Sequence, residues 1–245
     1  MAKFTQNAVW ADTLGLTRTH WAALIAIAGV FNFLPTLLVN HFFPMPDLPD
    51  GVDLPTAFRL TLEYYRHAAL PIVLQSFVVM TGSAAMLRLV FARGGTVGGA
   101  IVYAALLLPA YSVLIVLINL AVGAGFVLLI VPGLYLWGRL LPAGAAMVAE
   151  DRRGPLDALK RGWALSEGHG WLIIGLYLLV MIPGAILVLA LSQLSGIAFI
   201  LAAGQDLGTL LATIVLCAAE AVVATLLTML TAAVYRALAP QRPDA

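Results

Sequence analysis

The sequence predicts an all-α, polytopic membrane protein: a six-transmembrane-helix bundle with short amphipathic interfacial helices. Three observations predict it. Charged residues are only 10% of the 245-residue chain against 62% hydrophobic ones, whereas soluble domains carry about 25% charged residues. The apolar residues are gathered into runs long enough to cross a bilayer. The basic residues fall almost entirely on one side of those runs. With a mean hydropathy of +1.00, lipid is the solvent in which most outward-facing side chains need no polarity.

A span needs about 20 mostly apolar residues. The runs that qualify are 21–39, 68–87, 98–120, 124–148, 171–191 and 207–235. The third and fourth come from one apolar stretch, Val97 to Ala149, too long for a single helix. The glycine-containing segment Ala121–Gly125 is the expected place to divide it. None of the runs alternates as a barrel strand would. The segment before the first span holds Asp12 and Arg18 and no apolar core, so it does not read as a cleavable signal.

Lys3, Arg18, Arg88, Arg93, Arg152, Arg153, Lys160, Arg161, Arg236 and Arg242 all fall on one side of these spans, and only Arg59 and Arg66 on the other. Ten against two is a positive-inside signal that predicts both termini in the cytoplasm. The outer side instead has Asp47, Asp50, Asp53 and Glu63.

Between the spans, Pro44, Pro46 and Pro49 forbid a regular helix, and Pro55 then opens a short helix over 56–67. On the inner side, Leu156, Leu159 and Trp163 recur at helical spacing within 155–167, with Asp157 and Arg161 on the other side. That pattern predicts a helix lying in the cytoplasmic interface; a short soluble linker helix is the plainer alternative. Residues 192–204 are apolar but too short to span, which predicts an interfacial or re-entrant piece. Pro132–Gly133 and Pro183–Gly184 are expected to break or kink their helices.

No catalytic motif is present. The histidines are far apart, no serine elbow or phosphate loop occurs, and the single cysteine, Cys217, excludes an internal disulfide. A net charge of +1 with scattered basic residues gives no case for nucleic acid. No metal and no cofactor is expected. The informative residues are polar ones inside spans. Arg139 and Glu220 are the only full charges well inside any span, and a central charge costs about 2.5–3.5 kcal/mol on insertion scales. Their meeting would reduce both costs, so a buried ion pair is expected, direct or through Tyr111 or Ser112. Thr213, Cys217, Ala224, Thr228 and Thr231 share the side of Glu220, which predicts that it faces inward. Gln75, Ser76, Ser83, Ser112, Asn119 and Asn32 add polar positions on other spans. They read either as interhelical hydrogen-bonding glue or as a polar pathway or lipid-headgroup site.

From the fourth span onward the residues carry a resemblance. Val131-Pro132-Gly133 lies in an apolar span, Glu150 follows at its end, and Gly154, Ala158-Leu159, Trp163, Leu165 and Trp171 come in order. This resembles the YciC-like family of bacterial inner-membrane proteins, and is similar to the membrane domain attached to some glycerophosphoryl diester phosphodiesterases. Those families often carry a serine where this chain has Gly162. The resemblance implies a six-span bundle in a bacterial inner membrane. The phosphodiesterase activity resides in a separate soluble domain, so it does not carry over.

Two functional expectations follow. One is a non-catalytic accessory or scaffold protein in envelope or lipid homeostasis, with membrane lipids, another membrane protein or a second copy as partner. The other is a lipid or small-molecule carrier of flippase type with a polar site near the midplane. The basic asymmetry makes a direct prediction: reporter fusions at Gly95 and Asp244 read cytoplasmic, and fusions at Asp50 and Asp206 read external.

Overall fold

The computed structural model describes residues 5–46, 51–92 and 94–239. Lys3, Arg93 and Arg242 of the basic count, and Asp47, Pro49 and Asp50 of the first outer loop, lie outside them.

Among the described residues the secondary structure is helical throughout: α1 (Gln6–Ala28), a π turn (Gly29–Phe33), α2 (Leu34–Phe42), α3 (Leu54–Phe91), α4 (Val97–Leu128), α5 (Ile130–Leu140), α6 (Pro142–Ala149), α7 (Pro155–Leu165), α8 (Gly170–Ala203) and α9 (Gln205–Leu238). Five stretches are long and apolar enough to cross a membrane: Gln6–Phe42, Leu54–Phe91, Val97–Leu128, Gly170–Ala203 and Gln205–Leu238.

The π turn has a local cause. Pro35 lacks an N–H and its ring crowds the carbonyl one turn back. The helix widens over Gly29–Phe33 and continues rather than breaking.

Several expected boundaries are corrected. The long apolar stretch does not divide at Ala121–Gly125. α4 runs on to Leu128 and the chain turns at Leu129, whose backbone is extended (φ −165°, ψ 153°). Gly125 serves close approach instead, since a Cβ there would lie 2.8 Å from the Gly133 Cα across the hairpin. Pro132 and Gly133 are therefore not the break. They fall within the first turn or so of α5, where a missing N–H costs little. Pro183 and Gly184 do not interrupt α8, and residues 192–203 are not a separate piece but its continuation. Gly204 ends that helix with φ +80°, a left-handed conformation glycine adopts freely. The short helix over 56–67 is likewise the start of α3, with Pro55 in its first turn.

Large apolar side chains such as Trp21, Leu106, Val127 and Leu201 point outward, the inverse of a water-soluble fold. The buried core is concentrated at one end, where the basic segments lie. Ala84, Ala85, Met86, Ala143, Ala145, Ala146, Met147, Met229, Leu230, Ala232 and Ala233 are all within 1% of full burial. Toward the other end burial thins out: α8 beyond Gly184 buries only Ser195, and α9 before Cys217 buries only Gly208. α4 packs along α3 and α5, and α8 along α9. The bundle is closed at its basic end and looser at the far end.

In lipid, helices gain little from burying apolar surface against each other, so close approach through small residues must hold them. At the basic end a Cβ on Gly138 would sit 2.5 Å from the Gly170 carbonyl oxygen, joining α5 to the start of α8. A Cβ on Gly162 would sit 2.6–2.8 Å from Ala143, backbone included, joining α7 to α6. The position where the resembling families often have serine thus has no room here for any side chain. Gly162→Val lowers the thermal midpoint in detergent, at a cost of about 1–3 kcal/mol or more for overpacking. Gly196→Ala, at a position with open space around it, changes stability by less than about 1 kcal/mol. Thermal unfolding followed by circular dichroism distinguishes the two.

Candidate functional site

The polar residues of the bundle fall into three groups, and the structure separates residues that the sequence expectation had joined.

The first group surrounds Arg139 on α5. Arg139 is only 6% exposed, yet it forms no ion pair with Glu220 or with any other described acid. Its side chain runs to α7. Nη2 donates to the Trp163 carbonyl oxygen at 2.9 Å, Nη1 reaches the Tyr135 hydroxyl at 3.5 Å, and the guanidinium lies 4.2 Å from the centre of the Trp163 ring. Trp163 is in the last turn of α7, whose carbonyls lack helical partners and form the negative end of its dipole. A backbone terminus and an aromatic face thus take the place of the expected carboxylate. Ser166 completes the clasp, its hydroxyl donating to the Arg139 carbonyl at 2.7 Å. Tyr135, Trp163 and Trp171 form an aromatic cluster around it. Of the expected interfacial residues, Leu156 and Trp163 are 58% and 40% exposed and Leu159 is half-buried. The opposite face, Ala158, Gly162 and Leu165, is the one that docks on the bundle.

The second group seals the basic end. Glu150, whose side chain is 11% exposed, accepts from Arg152 Nε at 2.6 Å and Arg161 Nε at 2.8 Å. The Tyr235 hydroxyl of α9 donates to the same carboxylate at 3.0 Å. Arg88 pairs with Asp151 at 2.9 Å and lies over the Tyr103 ring. Burial pushes the Glu150 carboxyl up, but the hydrogen bonds from Arg161, Arg152 and Tyr235 outweigh it and hold the group below its ordinary value of 4.5. Glu150 stood out in the sequence only through the resemblance. Its partners left one trace, an acid at the end of an apolar span with two arginines, Arg152 and Arg153, just beyond Asp151.

The third group lines a half-open cavity of about 290 Å³ where α3, α4, α5 and α6 face the α8–α9 pair. Ser83, Tyr111, Asn119, Tyr177, Thr228 and Thr231 supply its polar groups, and Ile115, Ile118, Trp137, Leu140, Leu141 and Leu227 its apolar walls. Tyr111 is 6% exposed, and among the described residues its hydroxyl has no hydrogen-bond partner. Tyr177 bonds to Thr231, and Thr228 back-bonds to the Ala224 carbonyl. Gly144 floors the space, its missing side chain leaving room for the Tyr111 ring. The sequence pointed to Tyr111, Ser83, Asn119, Thr228 and Thr231 as polar positions in apolar runs. It missed Tyr177 and Trp137, which read there as ordinary aromatics.

Other expected members lie elsewhere. Ser112 donates to the Leu108 carbonyl in its own helix at 2.6 Å, and Gln75 donates to Thr36 at 3.0 Å, joining α3 to α2. Glu220 forms no hydrogen bond or ion pair with the described residues. Asn32, buried in the π turn, has neither amide atom hydrogen-bonded. A second groove, apolar and about 390 Å³, runs between α1 and α9 past Trp21, Phe33 and Val222.

Glu150 makes the stability of the basic end depend on pH. Because its folded value is depressed, the stabilisation is complete above about 4.5 and is lost as pH falls through the lowered value. Glu150→Gln is expected to lower stability at pH 7 by about 1.5–3 kcal/mol, the usual worth of a hydrogen bond to a charged group. Thermal melts in detergent show that deficit at pH 7 and show it shrinking as pH falls below about 4.5.

No protein-family model, no curated protein and no solved structure matches this chain.

Proposed function

We propose that this chain is a non-catalytic, six-crossing protein of a bacterial inner membrane, with both termini in the cytoplasm, that binds a membrane amphiphile inside its bundle. The cavity beneath Tyr111 is the observation that carries the reading. A purely structural bundle gains from a filled interior, whereas this one keeps a space with apolar walls and several hydroxyls, that of Tyr111 among them with no hydrogen-bond partner among the described residues. That combination suits the junction of a polar headgroup and an alkyl chain.

The crossing count rests on α5 and α6 acting together. With Leu141 in helical conformation between them, residues 130–149 form a nearly continuous helix of about 30 Å at 1.5 Å per residue, the thickness of a hydrocarbon core. The ten-to-two basic asymmetry supports the orientation. The order from Pro132–Gly133 through Glu150 to Trp171 supports kinship with the YciC-like proteins. Lipid or envelope homeostasis is the setting these features fit. A carrier would also have to open the basic end, the densest part of the bundle, so the packing favours binding over passage.

Mass spectrometry of lipids extracted from protein purified in mild detergent tests the proposal. One amphiphile is expected in stoichiometric amount with the wild-type protein. It is expected to be lost from Thr228→Trp, which fills the cavity, while circular dichroism stays unchanged. Identical lipid content in the two proteins would refute it.

A further inference from the structure

Glu220 is a carboxylate inside a membrane span with no counter-charge among the described residues. An intramembrane acid without a structural partner calls for a function. The surroundings of α9 fix which way it points. Three residues before it, Cys217 meets the side chain of Asn40 on α2 at 3.5 Å. Three residues after it, Val223 packs against Gly184 of α8, where a Cβ would lie 3.0 Å away. Glu220 falls in the arc between those two directions. Leu227 and Thr231, seven and eleven residues further on, share its face at helical spacing, and both line the cavity. Glu220 therefore stands in line with the cavity wall, about 10 Å from Leu227 toward the far end at 1.5 Å per residue. There the bundle is loosely packed.

We infer that Glu220 is the charge-recognising residue of this cavity, and that the ligand is an amphiphile bearing a protonated amine. The inference rests on the binding reading proposed above and names its ligand class. An ammonium group donates several hydrogen bonds and carries the charge that a lone carboxylate lacks. Asn119, Thr228 and the free Tyr111 hydroxyl offer further oxygens along the same space. A divalent metal ion fits poorly, because it demands several oxygen ligands around one point, and no group of acids, histidines or cysteines able to hold a metal occurs among the described residues. The apolar walls of Ile115, Ile118 and Leu227 suit an alkyl chain. The nearest buried cation, Arg139, is already committed to α7 and does not compete for Glu220.

The test compares two probes of equal chain length, dodecylamine and dodecanol, by ligand-induced thermal stabilisation of the protein in an uncharged maltoside detergent. The wild-type protein is expected to bind the amine at least roughly ten-fold more tightly than the alcohol. Glu220→Gln is expected to lose that preference while binding the alcohol as before, and Glu220→Asp to keep most of it. Comparing variants cancels the partition of each probe into micelles. Equal affinity for the two probes in the wild type, or a preference that survives in Glu220→Gln, overturns the role of Glu220 but leaves the cavity intact. Failure of both probes to bind the wild type overturns the cavity reading as well. If Glu220→Gln does not fold, Glu220→Ala takes its place: loss of the amine preference in it supports the role of Glu220, and survival of the preference overturns it.

Discussion

In a bilayer, one helix is no more attracted to another than to the lipid tails unless the two can come closer than lipid allows. Here that approach is made at a few points where glycine meets backbone. Gly138 meets Gly170, Gly162 meets Ala143, and Gly125 meets Gly133 across the α4–α5 hairpin. The first two lie at the basic end. They draw α5, α6, α7 and α8 together, and the alanine-rich segments of α3 and α9 fill the space between. With closure concentrated there, the α3–α4 and α8–α9 pairs are free to separate toward the far end. The cavity begins beside that closed end, at Leu87, Gly144 and Thr231, and extends along α4 to Ile118 and Asn119.

Arg139 shows how a buried charge is accommodated without an opposite charge. Its guanidinium is shared among a helix-terminal carbonyl, a tyrosine hydroxyl and an indole face. Each interaction is modest, a cation over an aromatic ring giving about 2 kcal/mol when desolvated, but together they replace a carboxylate. The arrangement also helps secure α7, which docks through the small face of Ala158, Gly162 and Leu165 and through the Arg161–Glu150 pair. The consequence for Glu220, half-buried on α9, is that Arg139 leaves it without a counter-charge among the described residues.

The all-helical, membrane-spanning character was legible because run length and charge depletion report on lipid directly. Boundaries were less so. Nothing in Leu128-Leu129-Ile130 has turn chemistry, while the nearby Gly123 and Gly125 invite a break that the structure does not make. Glycine in a lipid-embedded helix serves approach as readily as flexibility. Candidate polar residues were legible as interruptions of apolar runs, which is how Tyr111, Ser83 and Thr228 came forward. The partner of Arg139 was not, because its acceptor is a backbone carbonyl, which every residue possesses and no side-chain pattern announces. Helical phase alone could not say which neighbour each face would meet.

The hydrogen bond from Tyr235 to Glu150 joins residues 85 positions apart, and Arg236 pairs with Asp12 at 3.2 Å, linking α9 to α1. Membrane proteins are threaded from the ribosome in order, so α1 and the α6–α7 segment are in place before either partner has been made. Until α9 emerges, the Glu150 cluster lacks its tyrosine and the cavity lacks a wall. Among the described helices, α9 thus acts as the keystone of assembly. A chain cut short before it would present unfinished polar surface inside the bilayer, the kind of defect by which membrane quality control can tell incomplete products from complete ones.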